Sequence, residues 1–157
     1  MNGTLYIGDY AYSSWSLRGW LLFDRFGLSP KIVNVDFMAA SVAEQLQGLA
    51  PARTVPTWVA PEGTVVWDSL ALAEEVASRH ADLGVWPDDP AKRATARSLA
   101  AEMHAGFNAL RSECPMHLRT AYAGFAPSEA VRTDVARIVS LWQFALDRFG
   151  GPWLCGD

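Results

Sequence analysis

Two adjacent serines, Ser13 and Ser14, stand in the stretch Tyr12-Ser13-Ser14-Trp15-Ser16-Leu17-Arg18. An apolar run, Leu5-Tyr6-Ile7-Gly8, precedes it, and an apolar segment, Trp20-Leu21-Leu22-Phe23, follows. That order predicts strand, polar turn, helix. A serine at such a turn has two uses. It caps the helix by accepting from an unpaired N–H, or it aims a hydroxyl at an anion held by the positive helix end. Asp68-Ser69 poses the same choice later in the chain: a cap, or a hydroxyl and free amides suited to a carboxylate. Between them, Arg53-Thr54-Val55-Pro56 leads into an apolar run. Proline before a strand cannot donate a ladder bond and often marks a cis turn. It either rigidifies the entry or leaves the Val55 backbone free to pair with an extended peptide.

The elements that must position these residues follow from periodicity. Thr4–Ile7 reads as the first strand, and Ser14–Phe26 as a helix with Leu17, Leu21, Leu22 and Phe26 at helical spacing. Gly27 is placed to stop it. Ile32–Phe37 reads as a second strand, parallel to the first across a right-handed connection. Ser41–Leu49 reads as a short helix. Thr57–Ala60 and Thr64–Trp67 form a hairpin around Pro61-Glu62-Gly63. A helix then runs from Asp68-Ser69 to Arg79. This β-α-β-α-β-β-α unit is an α/β domain with a mixed sheet over residues 1–80.

Residues 81–90 carry Gly84, Pro87, Asp88, Asp89 and Pro90 and read as a linker. Asp89 is an N-cap, with Pro90 at the first helical position. Residues 91–157 then read as all-α. Ala91 to Glu113 is predicted as one long helix, with Leu99, Met103, Phe107 and Leu110 on one side, broken by Pro115. His117–Tyr122 adds a turn or two. Ser128 caps a helix over Glu129–Phe149, whose stripe is Val131, Val135, Ile138, Trp142, Ala145 and Phe149.

Composition narrows the function classes. Hydrophobic residues make up 50% and charged residues 19% of 157, enough to bury a core. The net charge of −4 is spread without a basic block, so a nucleic-acid footprint is not supported. Two cysteines, Cys114 and Cys155, make neither a disulfide framework nor a metal site. His80, His104 and His117 are scattered without partners at ligand spacing. The N-terminus shows no signal-peptide pattern, and no apolar run approaches the ~20 residues of a membrane helix. A reducing cytoplasm is the expected compartment.

The serine turn, Val-Pro and Asp-Ser would all lie at one edge of the sheet. Together they suit a short extended peptide with a carboxylate at one end and a thiol at the other, a description that glutathione meets. Here the chain resembles the glutathione transferase superfamily over essentially its whole length. Ser13-Ser14-Trp15-Ser16-Leu17-Arg18 is similar to the serine-type motif of the zeta class. Val55-Pro56 matches the family's cis-proline and Asp68-Ser69 its acidic-Ser signature. Ala101-Glu102-Met103-His104-Ala105-Gly106-Phe107-Asn108-Ala109-Leu110-Arg111 resembles the first all-α helix of a bacterial branch.

The resemblance implies a thioredoxin-like N-terminal domain followed by an all-α C-terminal domain. It implies that Ser13, with Ser14 close behind, donates a hydrogen bond to the glutathione sulfur and favours the thiolate. A drop of a unit or two from about 8.5 makes thiolate abundant at neutral pH. Val55 would pair its backbone with the cysteinyl part, and Asp68 and Ser69 would hold the γ-glutamyl end. Arg53 is the candidate for the glycyl carboxylate. Tyr10, Trp15, Met103, Phe107 and Arg111 would line the electrophile pocket, although helical spacing also gives Met103 and Phe107 a core reading.

The implied activity is conjugation of glutathione to a hydrophobic electrophile or glutathione-assisted isomerisation, without a metal, by a homodimer. A non-catalytic glutathione-binding module is the rival class. Three positions depart from the family pattern. Ala50-Pro51 stands where Asn-Pro is frequent, Thr54 where lysine is common, and Asp68 where the longer Glu prevails. Family chains usually continue past a motif like Pro152-Trp153-Leu154-Cys155-Gly156-Asp157. The helical domain therefore reads as truncated, and its helices are expected to expose apolar surface.

Overall fold

The computed structural model describes residues 3–155. The chain divides into two compact units. One runs up to Leu83 and includes Met116–Arg119; the other comprises Gly84–Pro115 and the chain from Thr120 onward.

In the first unit, β1 is Thr4–Ile7, α1 Ser14–Arg25, β2 Lys31–Asn34, α2 Val42–Gln45, β3 Thr57–Val59, β4 Val65–Trp67 and α3 Ser69–Arg79. The strands form one mixed sheet in the order β2-β1-β3-β4. The β1–β2 pair is parallel, as the crossover through α1 requires, and the β1–β3 and β3–β4 pairs are antiparallel. Period-two alternation sends Leu5 and Ile7 of β1 into the core, both fully buried. Trp58 of β3, Phe23 of α1, and Leu72 and Val76, one turn apart on α3, are buried as completely. The Phe23 and Trp58 rings lie 5.6 Å apart and tilted.

Two expectations need correction here. Strand β2 ends at Asn34, not Phe37. The Val35 N–H still reaches Ile7 O at 2.7 Å, but the chain then turns. Asp36 Oδ1 accepts from Met38 N–H, and the Gln45 side chain takes the Asp36 main-chain groups that a ladder would use. His117–Tyr122 forms no helical turn. Leu118 N–H donates to Ala11 O at 3.0 Å, and His117 packs edge-on against Tyr12. These contacts tie the segment to the loop after β1.

The second unit contains α4 Pro90–Ala105, α5 Asn108–Glu113 and α6 Glu129–Phe149. Asp89 caps α4 through Lys92 N–H, and Ser128 caps α6 through Val131 N–H. The expected single helix from Ala91 to Glu113 is instead two, broken at Gly106-Phe107. Phe107 sits in the left-handed region at φ 63° and is buried. Glycine is a poor helix former, and Arg111 stabilises the break. Its Nε donates to Gly106 O at 3.0 Å, and its Nη2 donates to Met103 O, satisfying carbonyls at the end of α4. Spacing alone linked Met103 to Phe107 and overlooked the glycine between them. The α6 stripe is half covered: Val131 and Ala145 are buried, while Trp142 is 50% exposed.

Candidate active site

The strand register brings the three motifs to one row. Tyr6 of β1 pairs with Thr57 of β3, and Thr57 pairs with Trp67 of β4. The serine turn follows β1, Val55-Pro56 precedes Thr57, and Asp68-Ser69 follows Trp67. All three motifs therefore leave the sheet at the same edge.

Asp9 shapes the first turn. Its carbonyl accepts from Tyr12 N–H and from Ser13 N–H at 2.7 Å, and its Oδ1 accepts from Ala11 N–H at 2.8 Å. The Ala11 N–H and then Arg119, 2.6 Å from Oδ2, hold the Asp9 carboxyl below the usual carboxylate range. Ser13 is the N-cap of α1. Its Oγ accepts from Ser16 N–H at 3.2 Å, and its hydroxyl donates to Ser16 Oγ at 2.9 Å. Ser16, fully buried, also accepts from Gly8 N–H at 2.9 Å. Ser14 is the first residue of α1, half-buried.

The Val55-Pro56 bond is cis, as the sequence suggested. Pro56 is fully buried, against α1 at Gly19, where an added Cβ would lie 2.7 Å from Pro56 Cβ. Thr57, also fully buried, donates from Oγ1 to Thr54 O at 2.7 Å and pins the loop before it. Arg53 is exposed and Val55 half-buried. Asp68 adopts φ 80°, a region that costs a non-glycine residue about 1–3 kcal/mol. Its Oδ1 accepts from Leu70 N–H at 2.8 Å and Ala71 N–H at 3.3 Å. It is thus the N-cap of α3, and Ser69 is the first residue of that helix.

The five residues named for the electrophile fall in both units. In the first, Tyr10 stacks on Trp20 at 5.2 Å, and the Trp15 ring carries the Arg18 guanidinium at 4.5 Å. Tyr10 and Tyr12, with Asn34, Phe37, Met38 and Arg119, line a cavity of about 640 Å³ that also includes Asp9 and Asp36. In the second, Met103 and Phe107 line an apolar cavity of about 400 Å³ with Leu99, Ile138, Trp142 and Leu154. Arg111 binds main-chain carbonyls there.

Sequence reasoning missed Ser16, Thr57 and Gly19. Ser16 carried a signal, since it stands three residues after the cap, where a capping-box partner stands. Gly19 carried another, because an interior helix glycine usually has a packing reason. Among the described residues, no cluster of three or more His, Cys, Asp or Glu is placed to hold a metal. No described helix is long and apolar enough to cross a membrane.

A mixed β2-β1-β3-β4 sheet with a cis-proline ahead of β3 and capped helix starts beside it is the thioredoxin-like class of domain. The family model for the glutathione S-transferase N-terminal domain matches residues 12–79. A probable maleylacetoacetate isomerase from Caenorhabditis elegans is 31% identical over 153 residues, covering 93% of this chain and 70% of the relative. A maleylacetoacetate isomerase from Anaeromyxobacter dehalogenans, solved with dicarboxyethyl glutathione and citrate in its active site, is 26% identical with a TM-score of 0.66. That alignment covers 98% of this chain and 69% of the other. An unclassified glutathione S-transferase from Bombyx mori is 22% identical with a TM-score of 0.73, over 98% of this chain and 70% of the other. The chain belongs to the glutathione transferase superfamily of enzymes and is zeta-like within it.

Proposed function

We propose that the chain binds glutathione along the Tyr6–Thr57–Trp67 edge and that Ser13 activates its thiol. The register of that row carries the reading. Neighbouring strands lie about 4.8 Å apart, so the row from β1 to β4 covers about 10 Å. An extended chain of three residues spans about 10 Å. A tripeptide matches that row in scale, with the thiol of its central residue at Ser13, its backbone against Val55, and its γ-glutamyl end at Ser69 and the α3 N-terminus. The Asp68 carboxylate, which caps α3, is the acidic group assigned to the γ-glutamyl amino group. Arg53 is the cation for the glycyl carboxylate.

Ser13 is preferred to Ser14 because two bonds to Ser16 fix its oxygen before the thiol arrives. The helix start adds amides and a partial positive charge that favour an anion. The thiol proton leaves to solvent, Ser13 donates to the resulting thiolate, and the thiolate bonds to the halogen-bearing ring carbon of the electrophile as its carbon–halogen bond breaks and halide departs. The cavity at Tyr10 and Tyr12 is the proposed electrophile site on this unit. Its walls carry the Tyr10, Tyr12 and Phe37 rings, and its one cation among the described residues, Arg119, is already neutralised by Asp9, with Asp36 nearby. This balance supports conjugation of an uncharged aromatic electrophile over isomerisation of a dicarboxylate. Trp15 remains a further candidate for that site, and a homodimer belongs to the same reading.

The test is Ser13→Ala against Ser14→Ala, assayed with glutathione and a chloronitrobenzene. One hydrogen bond to a charged group is worth about 1.5–3 kcal/mol. Ser13→Ala should therefore lower kcat about 10- to 100-fold with little change in glutathione affinity, and Ser14→Ala should have a smaller effect. A larger loss in Ser14→Ala would reassign the activating serine. Glutathione binding without turnover in the unmodified protein would favour the binding module. Faster turnover of a cis-unsaturated dicarboxylate than of the aryl halide would overturn the electrophile class.

A further inference from the structure

We infer that Ser16 is a positioning residue for Ser13, supplying a proton-reversible hydroxyl pair that lets Ser13 turn its own proton toward a thiolate. The inference rests on the Ser13 reading above and extends it to a residue that does not touch the substrate.

A hydroxyl has one donor and two acceptor sites. Ser16 Oγ fills both acceptor sites, with Gly8 N–H at 2.9 Å and the Ser13 hydroxyl at 2.9 Å. Its own proton is then the one group left to place, in a side chain that is fully buried. Ser13 Oγ accepts one bond, from Ser16 N–H at 3.2 Å, and keeps a second acceptor site. The two oxygens can therefore exchange roles without moving. Ser16 donates its hydroxyl proton to Ser13 Oγ, and the Ser13 proton swings out of the pair.

Both arrangements keep the hydrogen bond between the oxygens and the Gly8 N–H bond. No proton leaves either serine, so the balance is a rotation of two O–H bonds. The outward arrangement completes a chain from Ser16 to Ser13 to an anion beside the α1 N-terminus. Hydrogen bonds in such a chain strengthen one another in a low-dielectric site. With a neutral thiol, a weak acceptor, the Ser13 proton is better placed on Ser16. Ionisation of the sulfur reverses the pair. Ser16 thus contributes only when negative charge is present, the condition for lowering a thiol pKa rather than for binding glutathione as such.

Ser14 could not take this part. It lies one residue into the helix, past the cap position that Ser13 holds. The Gly8 N–H anchors Ser16 to the end of β1, so the relay is tied to the sheet as well as to α1.

The experiment titrates the thiol of bound glutathione by its ultraviolet thiolate absorbance in the full chain. It compares wild type, Ser13→Ala, Ser16→Ala and the double variant, with circular dichroism to verify folding. Ser16→Ala should raise the bound thiol pKa by about half a unit, near a threefold loss of thiolate at low pH. Glutathione affinity measured well below that pKa should stay within about twofold. In the Ser13→Ala background, Ser16→Ala should add no further shift. An unmoved pKa in Ser16→Ala, with Ser13→Ala shifted, overturns the relay but leaves Ser13 in its role. An equal shift in both backgrounds overturns it too, because Ser16 would then act independently. No shift in Ser13→Ala means that the function reading itself has failed. Should Ser16→Ala not fold, Ser16→Thr keeps the hydroxyl and Ser16→Cys weakens it. A thiol pKa that is near wild type in Ser16→Thr and raised in Ser16→Cys supports the relay, and equal values overturn it.

Discussion

At the scale of single residues, the site depends on side chains that are missing as much as on those present. Gly19 has no Cβ, and one built there would stand 2.7 and 2.8 Å from Pro56 Cβ and Cγ. Both Pro56 and Gly19 are buried, so neither has an open direction in which to yield. Helix α1 and the loop carrying Val55 are therefore set at a spacing that only glycine permits. Gly19→Ala should cost about 1–3 kcal/mol, the usual range for overpacking, even though alanine is the better helix former. It should also weaken glutathione binding, because the Val55 backbone is carried by the displaced loop. Denaturant unfolding and retention on immobilised glutathione would check both. Increased stability would show that the close approach is relieved elsewhere. Gly8 is a second close approach, where a Cβ would fall 2.1 Å from the Phe37 ring while its N–H serves Ser16.

At the scale of elements, the β3–β4 hairpin is tied to α3 by charge. Arg79 near the end of α3 bonds Glu62 of the hairpin turn at 2.6 Å and Glu75 one helical turn back at 2.6 Å, and it lies over the Trp58 ring. The hydrogen bond from Arg79 holds the Glu62 carboxyl at about 2, against an ordinary value of 4.5. A lowered folded-state pKa means that the stabilisation is complete above the unfolded value and is lost as pH falls through the folded one. The stability gap between wild type and Glu62→Gln should thus be full above pH 4.5 and close toward pH 2. Added salt should narrow it, since the pair is exposed. A gap independent of pH would remove the ion pair as its cause. The sequence was most legible where one local rule decides. Alternation placed β1, Asp89-Pro90 and Ser128 announced their helices, and Val-Pro ahead of an apolar run announced the turn. It was least legible where a distant partner decides. Nothing near Met103 shows that Arg111 will take its carbonyl and hold a break. Likewise, nothing in Ile32–Phe37 shows that Gln45 will end the strand early. Within the site, Ser13 was visible from its turn, while the buried Ser16 beneath it was marked only by its spacing from the cap, its Gly8 contact being illegible in the sequence.

At the scale of the molecule, the two units differ in how much they bury. The first unit hides Leu5, Ile7, Phe23, Leu46, Trp58, Leu72 and Val76 almost completely. Among the described residues of the second unit, the buried apolar side chains are Phe107, Val131 and Ala145. That unit also contains the apolar cavity of about 400 Å³ and leaves Val139 57% and Phe144 54% exposed on α6. Local stability follows buried apolar contact, so the second unit should open at lower free energy than the first. Native-state hydrogen exchange should find the amides of α4 and α6 less protected than those of β1 and β3. Denaturant unfolding followed by far-ultraviolet dichroism, dominated by the long helices, should precede the loss of Trp58 burial rather than coincide with it. Ala100 lines the cavity, and Ala100→Leu would fill part of it with three carbons. After the cost of ordering the longer side chain, the gain should be about 1 kcal/mol. It should delay the helix transition and leave the sheet's protection unchanged. If both transitions shift together, or the wild-type transitions already coincide, the two units unfold as one body and the ranking by burial fails.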